Sequence, residues 1–306
     1  MKLVVLAGGF GGARFARAVA ETVPHDEITI VGNVGDDAEI LGLHVSPDLD
    51  SILYALAGLG DEERGWGRRD ETWNALETVE TLGGETWFQL GDRDLGLHLV
   101  RTLALRAGEP LSVVTRRLAS SFGVGATLLP PTDDPLRTWV DTAAGEFSFQ
   151  QWYVGRGHRD EVTDVRYEGA PDARAAPGVV EALELADLIA IAPSNPYLSI
   201  GPILAVDGIR SALQRRRAPA VAVSPLIGGR TVKGPADAML ARFAGGTSPA
   251  HVAGCYEGLI DALVLDEADD PGDLGVTPIV TRTLMNDAAA RRRVAEAAFE
   301  GAAVRR

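Results

Sequence analysis

The chain has 306 residues, 46% hydrophobic and 24% charged, the balance of a globular protein with a large core. Its 43 acidic side chains against 29 basic ones give a formal charge of -14, a field that repels nucleic-acid backbones and anionic lipid and argues against both as partners. One cysteine, Cys255, and five scattered histidines offer neither an internal disulfide nor zinc-ligand spacing, so Cys255 reads as an inert core thiol in a reducing cytoplasm.

The first apolar run is short and ends in glycines instead of a cleavage signal, and no later segment holds 18 uncharged apolar residues, so neither a leader nor a membrane span is expected. The chain opens as strand (Lys2 to Ala7), glycine turn, helix (Phe10 to Glu21, with Ala13, Phe15, Ala16 and Val19 as apolar positions) and strand (Ile28 to Val31). That alternation is the signature of a parallel sheet. From about 48 to 122 the periods are helical, including Leu95 to Arg106 and Leu111 to Ser121, which predicts a helical insertion capping the sheet. From about 128 to 169, Pro130, Pro131, Pro135 and the aromatic-rich "FSFQQWYVGRGH" predict a short β-rich excursion.

The βα rhythm then resumes: strand in "DLIAIAPSN", one helix over "GPILAVDGIRSALQRR", strand in "APAVAVSP", helix from Gly234 to Phe243, strands at Leu263 to Leu265 and Pro278 to Thr281, and a closing helix from Arg282 to Ala298. "DEADDPGD" (266–273) reads as a solvated acidic loop. The predicted fold is a single α/β domain: a Rossmann-like, mostly parallel sheet flanked by helices, with a helical cap.

Gly8, Gly9, Gly11 and Gly12 lie where the first strand meets the first helix. Bare backbone and free helix N–H groups at that junction suit a diphosphate. The dinucleotide pattern G-x-G-x-x-G starting at Gly9 fails, because Arg14 stands where a small residue is needed, and no Gly-Lys-Ser/Thr follows for a P-loop. Arg14 is either a phosphate partner or surface charge. After the second strand, "NVGDDAEILGLHVSPDLDSILYAL" brings Asp36, Asp37, Asp48 and Asp50 toward the same sheet edge. Carboxylates beside a diphosphate suit Mg2+; Asp48 or Asp50 also fits as a helix cap. Phosphoryl transfer needs little beyond positioning and charge neutralisation, and Asp50 is a candidate to orient or deprotonate an attacking hydroxyl.

Five segments in order, "LAGGFGGARF", "NVGDDAEI..SPDLDSILYAL", "RGWGRRDETWNA", "FQLGDRDLGLHLVRTLALRAG" and "IAPSNPYLSIGPIL", together resemble the 2-phospho-L-lactate transferase family of deazaflavin coenzyme F420 biosynthesis. The likeness runs on through "VSPLIGGRTVKGPADAML". It implies transfer of a phospho-lactyl or phospho-enolpyruvyl group from a guanosine diphosphate-linked donor to the ribityl hydroxyl of 7,8-didemethyl-8-hydroxy-5-deazariboflavin, with GMP leaving, Mg2+ as the ion and a cytoplasmic homodimer as the assembly. "RGWGRRDETWNA" and "FQQWYVGRG" look more like the actinobacterial branch, whose expected donor is enolpyruvyl.

By matching motifs, the resemblance implies substrate binding by Gly8, Gly9, Gly11, Gly12, Asn33, Asn74, Asp92, Arg93, Ser194 and Asn195, metal binding by Asp36, Asp48 and Asp50, and catalysis by Asp50. Asn195 and Ser194 also fit as turn and cap residues, and Asp92 as an N-cap. Trp66, Trp73 and Trp87 offer flat faces for a tricyclic ring. His98 reads as a satisfied buried histidine, while Arg230 and Lys233 are candidates to reach the donor's phosphates or carboxylate. Two rivals remain: a nucleotide-sugar-binding regulatory protein without catalysis, similar in its glycine and "APSN" loops, and an NAD-linked oxidoreductase, which Arg14 disfavours.

Overall fold

The computed structural model describes residues 1–303. Strand β1 (Leu3–Ala7) is buried along its whole length, as its all-apolar sequence LVVLA requires of a central strand covered on both faces. Helix α1 (Gly9–Ala20) follows at once and buries Ala13, Phe15, Ala16 and Val19 on one face. After β2 (Ile28–Gly32) the acidic segment forms a small hairpin, β3 (Ala38–Ile40) with β4 (Leu43–Val45), turned by Leu41 and Gly42 at φ 52° and 74°. A leucine in a left-handed turn gives the sequence no hairpin signal.

Four helices come next: α2 (Pro47–Leu56), α3 (Asn74–Thr81), α4 (Asp92–Arg106) and α5 (Leu111–Ser121). Strand β5 (Thr127–Leu129) then pairs with β2 in the main sheet. Leu128 therefore belongs to the central sheet, and the antiparallel excursion begins later with β6 (Arg137–Thr142), β7 (Gly145–Ser148) and β8 (Val162–Glu168). Val140, Trp152 and Val162 of this region form a second apolar cluster with Leu198 and Met239, which fixes the excursion against the body.

The second half runs α6 (Val179–Glu184), β9 (Leu188–Ile191), α7 (Gly201–Ala205), α8 (Ile209–Gln214) and β10 (Ala220–Val223). The single helix predicted after "PSNPYLSI" is in fact two, because Val206 is extended and Gly208 sits at φ 86°, where a right-handed helix cannot continue. A hairpin, β11 (Leu226–Ile227) and β12 (Arg230–Thr231), precedes α9 (Ala236–Phe243), α10 (Pro249–Cys255), β13 (Ala262–Asp266), β14 (Thr277–Thr281) and α11 (Ala288–Ala303). The last helix starts at Ala288, not Arg282: the Asp287 carboxylate accepts from the Ala290 amide, and residues 282–287 form a loop.

The acidic segment 266–273 is not simply solvated. Asp266 is buried and accepts from the Thr283 amide and hydroxyl, and Asp269 accepts from the Gly229 amide, so these two acids pin neighbouring loops.

The main sheet is seven-stranded and wholly parallel, in the order β14-β13-β10-β9-β1-β2-β5. Its order reverses between β1 and β9, the crevice where ligands of doubly wound sheets bind beyond the strand carboxyl ends. Among the described residues no helix is long and apolar enough to cross a membrane.

Candidate active site at the strand switch point

The two loops that leave β1 and β9 are tied together. The Ser194 hydroxyl donates to the Gly8 carbonyl at 2.7 Å, and the Gly8 amide donates back to Ser194 Oγ at 3.2 Å. Three of the four glycines are demanded by this close approach: a Cβ on Gly8 would lie 2.5 Å from Asp48 Oδ2, one on Gly11 would overlap the Pro193 carbonyl oxygen, and one on Gly12 would lie 2.7 Å from Ser194 Oγ. Gly9 instead takes φ 65°, where a Cβ would meet only Ser199 Oγ, at 3.5 Å. The first turn of α1 carries no acidic residue and Gly8 supplies no capping side chain; from α2 the Asp48 carboxylate accepts from the Gly9 backbone at this positive helix end.

Asn195 accepts from the Tyr197 and Leu198 amides and shapes the turn of residues 196–200. Ser194 and Asn195 thus serve the loop's own geometry, Asn195 as the turn residue that was its other reading and Ser194 as the tie to Gly8.

Asn33, fully buried at the end of β2, holds the acidic residues together. Its Nδ2 lies 3.3 Å from Asp36 Oδ1 and 3.0 Å from Asp48 Oδ2, and the Asp48 amide donates to Asp36 Oδ2 at 3.1 Å. Burial, then the neighbouring charges of Asp48 and Asp37, push the Asp36 carboxyl well above its ordinary value. Burial likewise raises Asp48 to about 6, although the Asn33 amide and the Gly9 backbone oppose the shift. Two desolvated carboxylates side by side match the hard-oxygen pair that Mg2+ takes before completing its shell with water and phosphate. Among the described residues no set of three or more acidic, histidine or cysteine side chains gathers as a metal cage. Asp37 is engaged elsewhere, accepting from the Ser46 hydroxyl and lying 2.8 Å from His44 Nε2.

Asp50 has a different setting from the one the sequence suggested. Both its oxygens accept from the Arg101 guanidinium, Oδ2 at 2.9 Å, and His98 Nδ1 lies 3.7 Å away. Helical spacing explains the cluster: Asp50 and Tyr54 share one face of α2, and Asp94, His98 and Arg101 share the face of α4 that meets it. The Tyr54 hydroxyl donates to Asp94 at 2.6 Å. Burial raises Asp94 to about 6 and lowers His98 to about 4, which keeps the imidazole neutral at pH 7. Tyr54 and Arg101 were missed by the sequence reading, although the spacing of 94, 98 and 101 in "DLGLHLVR" was the available signal for Arg101.

These groups open into a cavity of about 670 Å³. Gly8, Gly9, Gly11, Asp36, Asp48, Asp50, Ser194 and Asn195 line it, as do Asp94, His98, Arg14 and Lys233. Its aromatic lining includes Trp66 and Trp87 together with Phe149, Tyr153 and His158, the last three stacked in series at centroid spacings of 5.2 and 4.8 Å. Gly12 and Asn33 lie beneath the surface of this cavity and support it.

Asn74, Asp92 and Arg93 are not among the lining residues. The Asp92 carboxylate instead accepts from Thr72 Oγ1, Asn74 Nδ2 and the amides of Asn74 and Ala75, stitching the start of α3 to that of α4. Trp73 packs edge-on against Trp66 behind the wall, and Arg230 is exposed on its hairpin. Cys255 is partly buried, its thiol 3.3 Å from the His251 carbonyl.

A glycine turn, paired acids and an aromatic-walled cavity at the switch point of a doubly wound sheet define the candidate active site of an α/β protein. The family model described as 2-phospho-L-lactate transferase CofD matches residues 3–276, and the chain belongs to this transferase family. It is 45% identical over 275 residues to a phosphoenolpyruvate transferase from Streptomyces griseus, covering 88% of this chain and 86% of that one. It is 41% identical to the phosphoenolpyruvate transferase of Mycolicibacterium smegmatis, covering 99% of both chains. The crystal structure of a UPF0052 family protein from Bacillus halodurans shares the fold, with a TM-score of 0.64 at 18% identity over 98% of this chain and all of that one.

Proposed function

We propose that this transferase moves the phospho-enolpyruvyl half of a guanosine diphosphate-linked donor onto the ribityl hydroxyl of a deazaflavin, 7,8-didemethyl-8-hydroxy-5-deazariboflavin, releasing GMP within the cytoplasm. One observation carries the reading: amides of a glycine-opened helix, two desolvated acids and an aromatic wall converge on a single cavity at the strand switch point. The high identity to enzymes named phosphoenolpyruvate transferases supports enolpyruvyl over lactyl as the acid.

In this reading the hydroxyl oxygen bonds to the phosphorus that carries the acid, its proton passes to Asp50 or to water, the bond from that phosphorus to the GMP oxygen breaks, and GMP leaves with the electron pair. The α1 amides bind the diphosphate and Ser194 keeps the β1 and β9 loops at the spacing it needs. Mg2+ held by Asp36 and Asp48 would supply positive charge against the phosphate oxygens. Asp50, clamped by Arg101, retains a second acceptor site on each oxygen and orients the hydroxyl. Trp66, Trp87, Phe149 and Tyr153 take the tricyclic ring and exclude water from the reacting phosphorus. The active assembly is a homodimer.

The test is an end-point reaction with each guanylylated donor, the deazaflavin and Mg2+, read by mass spectrometry for the phospho-acid adduct and by chromatography for GMP. Adduct and equimolar GMP with the enolpyruvyl donor are expected. Absence of GMP with both donors would overturn the transfer, and tight UDP-sugar binding with none of GDP would favour a sensor.

A further inference from the structure

Arg14 and Lys233 flank one aromatic ring inside the cavity. The Arg14 guanidinium carbon lies 4.3 Å and Lys233 Nζ 4.9 Å from the centroid of Phe10. Their hydrogen bonds go to neutral carbonyls, Arg14 to Met285 at 3.1 Å and Lys233 to Gly65 at 3.2 Å. Among the described residues neither forms an ion pair; Glu62, the acid whose field Arg14 feels, is itself bonded to Arg17. Partial burial lowers the proton affinity of both, and Arg14 lowers that of Lys233 further.

Two cations held together without a counter-ion, in a chain of net charge -14, are a cost that packing does not explain, since leucine or methionine would cover Phe10 without it. An arriving anion removes that cost. Phe10 and Arg14 are one helical turn apart on α1, the helix whose first turn the glycines expose, so the pair stands on the element that begins the site.

We propose that Arg14 and Lys233 form the receptor for the donor's acid-bearing end, taking an oxyanion of its carboxylate or of the adjoining diphosphate. The assignment rests on the donor reading above. It gives the "GGARF" arginine and the "TVKG" lysine, 219 positions apart by the numbering of the chain, a shared task.

The experiment compares the wild type with Arg14→Gln, Lys233→Gln and Lys233→Arg. GDP and inorganic pyrophosphate binding are measured by calorimetry, and KM and kcat with the guanosine diphosphate-linked enolpyruvate donor. Each Gln variant is expected to raise the donor KM about tenfold or more with a smaller change in kcat, while Lys233→Arg stays within about threefold. A parallel loss of GDP affinity assigns the receptor to the diphosphate; unchanged GDP affinity with raised KM assigns it to the carboxylate. Donor KM and GDP affinity both within about twofold of wild type in the two Gln variants would overturn the receptor. Failure of the donor reading has its own signature, a wild type that neither binds GDP nor releases GMP. In that case pyrophosphate decides: weaker binding by the Gln variants upholds the receptor, and equal binding overturns it.

Discussion

Replacing Arg101 with Met tests what Asp50 is for. Arg101 is 1% exposed and Asp50 5%, and the guanidinium meets both carboxylate oxygens. Methionine keeps much of the side-chain volume, so the variant removes charge more than packing. Asp50 is then left buried near the Tyr54 hydroxyl and the Asp94 carboxylate without its cation, a loss of about 3–5 kcal/mol by analogy with broken buried pairs. Unfolding entropy of about 2.1 cal/mol/K per residue, or about 0.6 kcal/mol/K for a chain of this length, converts this to a Tm lower by about 5–8 °C. Differential scanning calorimetry and urea denaturation at pH 7.5 measure it. The double variant Arg101→Met/Asp50→Asn should recover much of the loss, with a coupling energy above about 2 kcal/mol. A single-variant loss under about 1 kcal/mol, or a double variant that is merely additive, would refute the pairing and return Asp50 to the pool of free metal ligands.

Other consequences follow from the same geometry. Millimolar Mg2+ should raise the Tm of the wild type, by the equivalent of about 2.7 kcal/mol at a hundredfold excess over Kd; chelation should reverse this and Asp48→Asn should abolish the response, whereas a wild type indifferent to Mg2+ would count against the Asp36–Asp48 pair. Asp94 binds its proton more tightly in the native chain, with a value raised from 3.8 to about 6 by burial, so the native state holds more protons than the unfolded one between those values and stability falls as pH rises through that window. The ionised carboxylate therefore costs about 2–3 kcal/mol above pH 6, and Asp94→Asn, which still accepts from Tyr54, should raise the Tm at pH 7.5 and flatten its decline from pH 4 to 6; an unchanged pH profile would contradict this. Gly11→Ala should destabilise the apo protein by about 1–3 kcal/mol because its methyl meets the Pro193 carbonyl. Weaker GDP binding at unaltered Tm would instead mean that Gly11 reserves room for phosphate.

Much of the site was legible along the chain because it is local. A strand that runs straight into four glycines places α1's amides by itself, and the "NVGDD" and "SPDLD" acids stand within fifteen residues of one another. What the chain alone left open depended on partners far away. The "DRD" triplet offered three charges, and only the folded chain shows that Asp94 meets Tyr54 of α2 in the cavity while Asp92 accepts from the first amides of α3. The glycines carry the same lesson: their bareness was evident, but the crowding at Gly11 and Gly12 comes from Pro193 and Ser194, which β9 delivers from the other half of the chain.

By itself the sequence determined the parallel α/β sheet, the glycine-opened helix and the family to which the chain belongs, since periodicity and contiguous motifs are properties of neighbouring residues. Tertiary structure alone decided which partner each carboxylate receives. Asp50 receives Arg101, Asp37 receives Ser46, and Asp36 and Asp48 are left facing each other across Asn33. A charge acquires its role from the dielectric and the partners around it, and those are set by segments that meet only when the chain has folded.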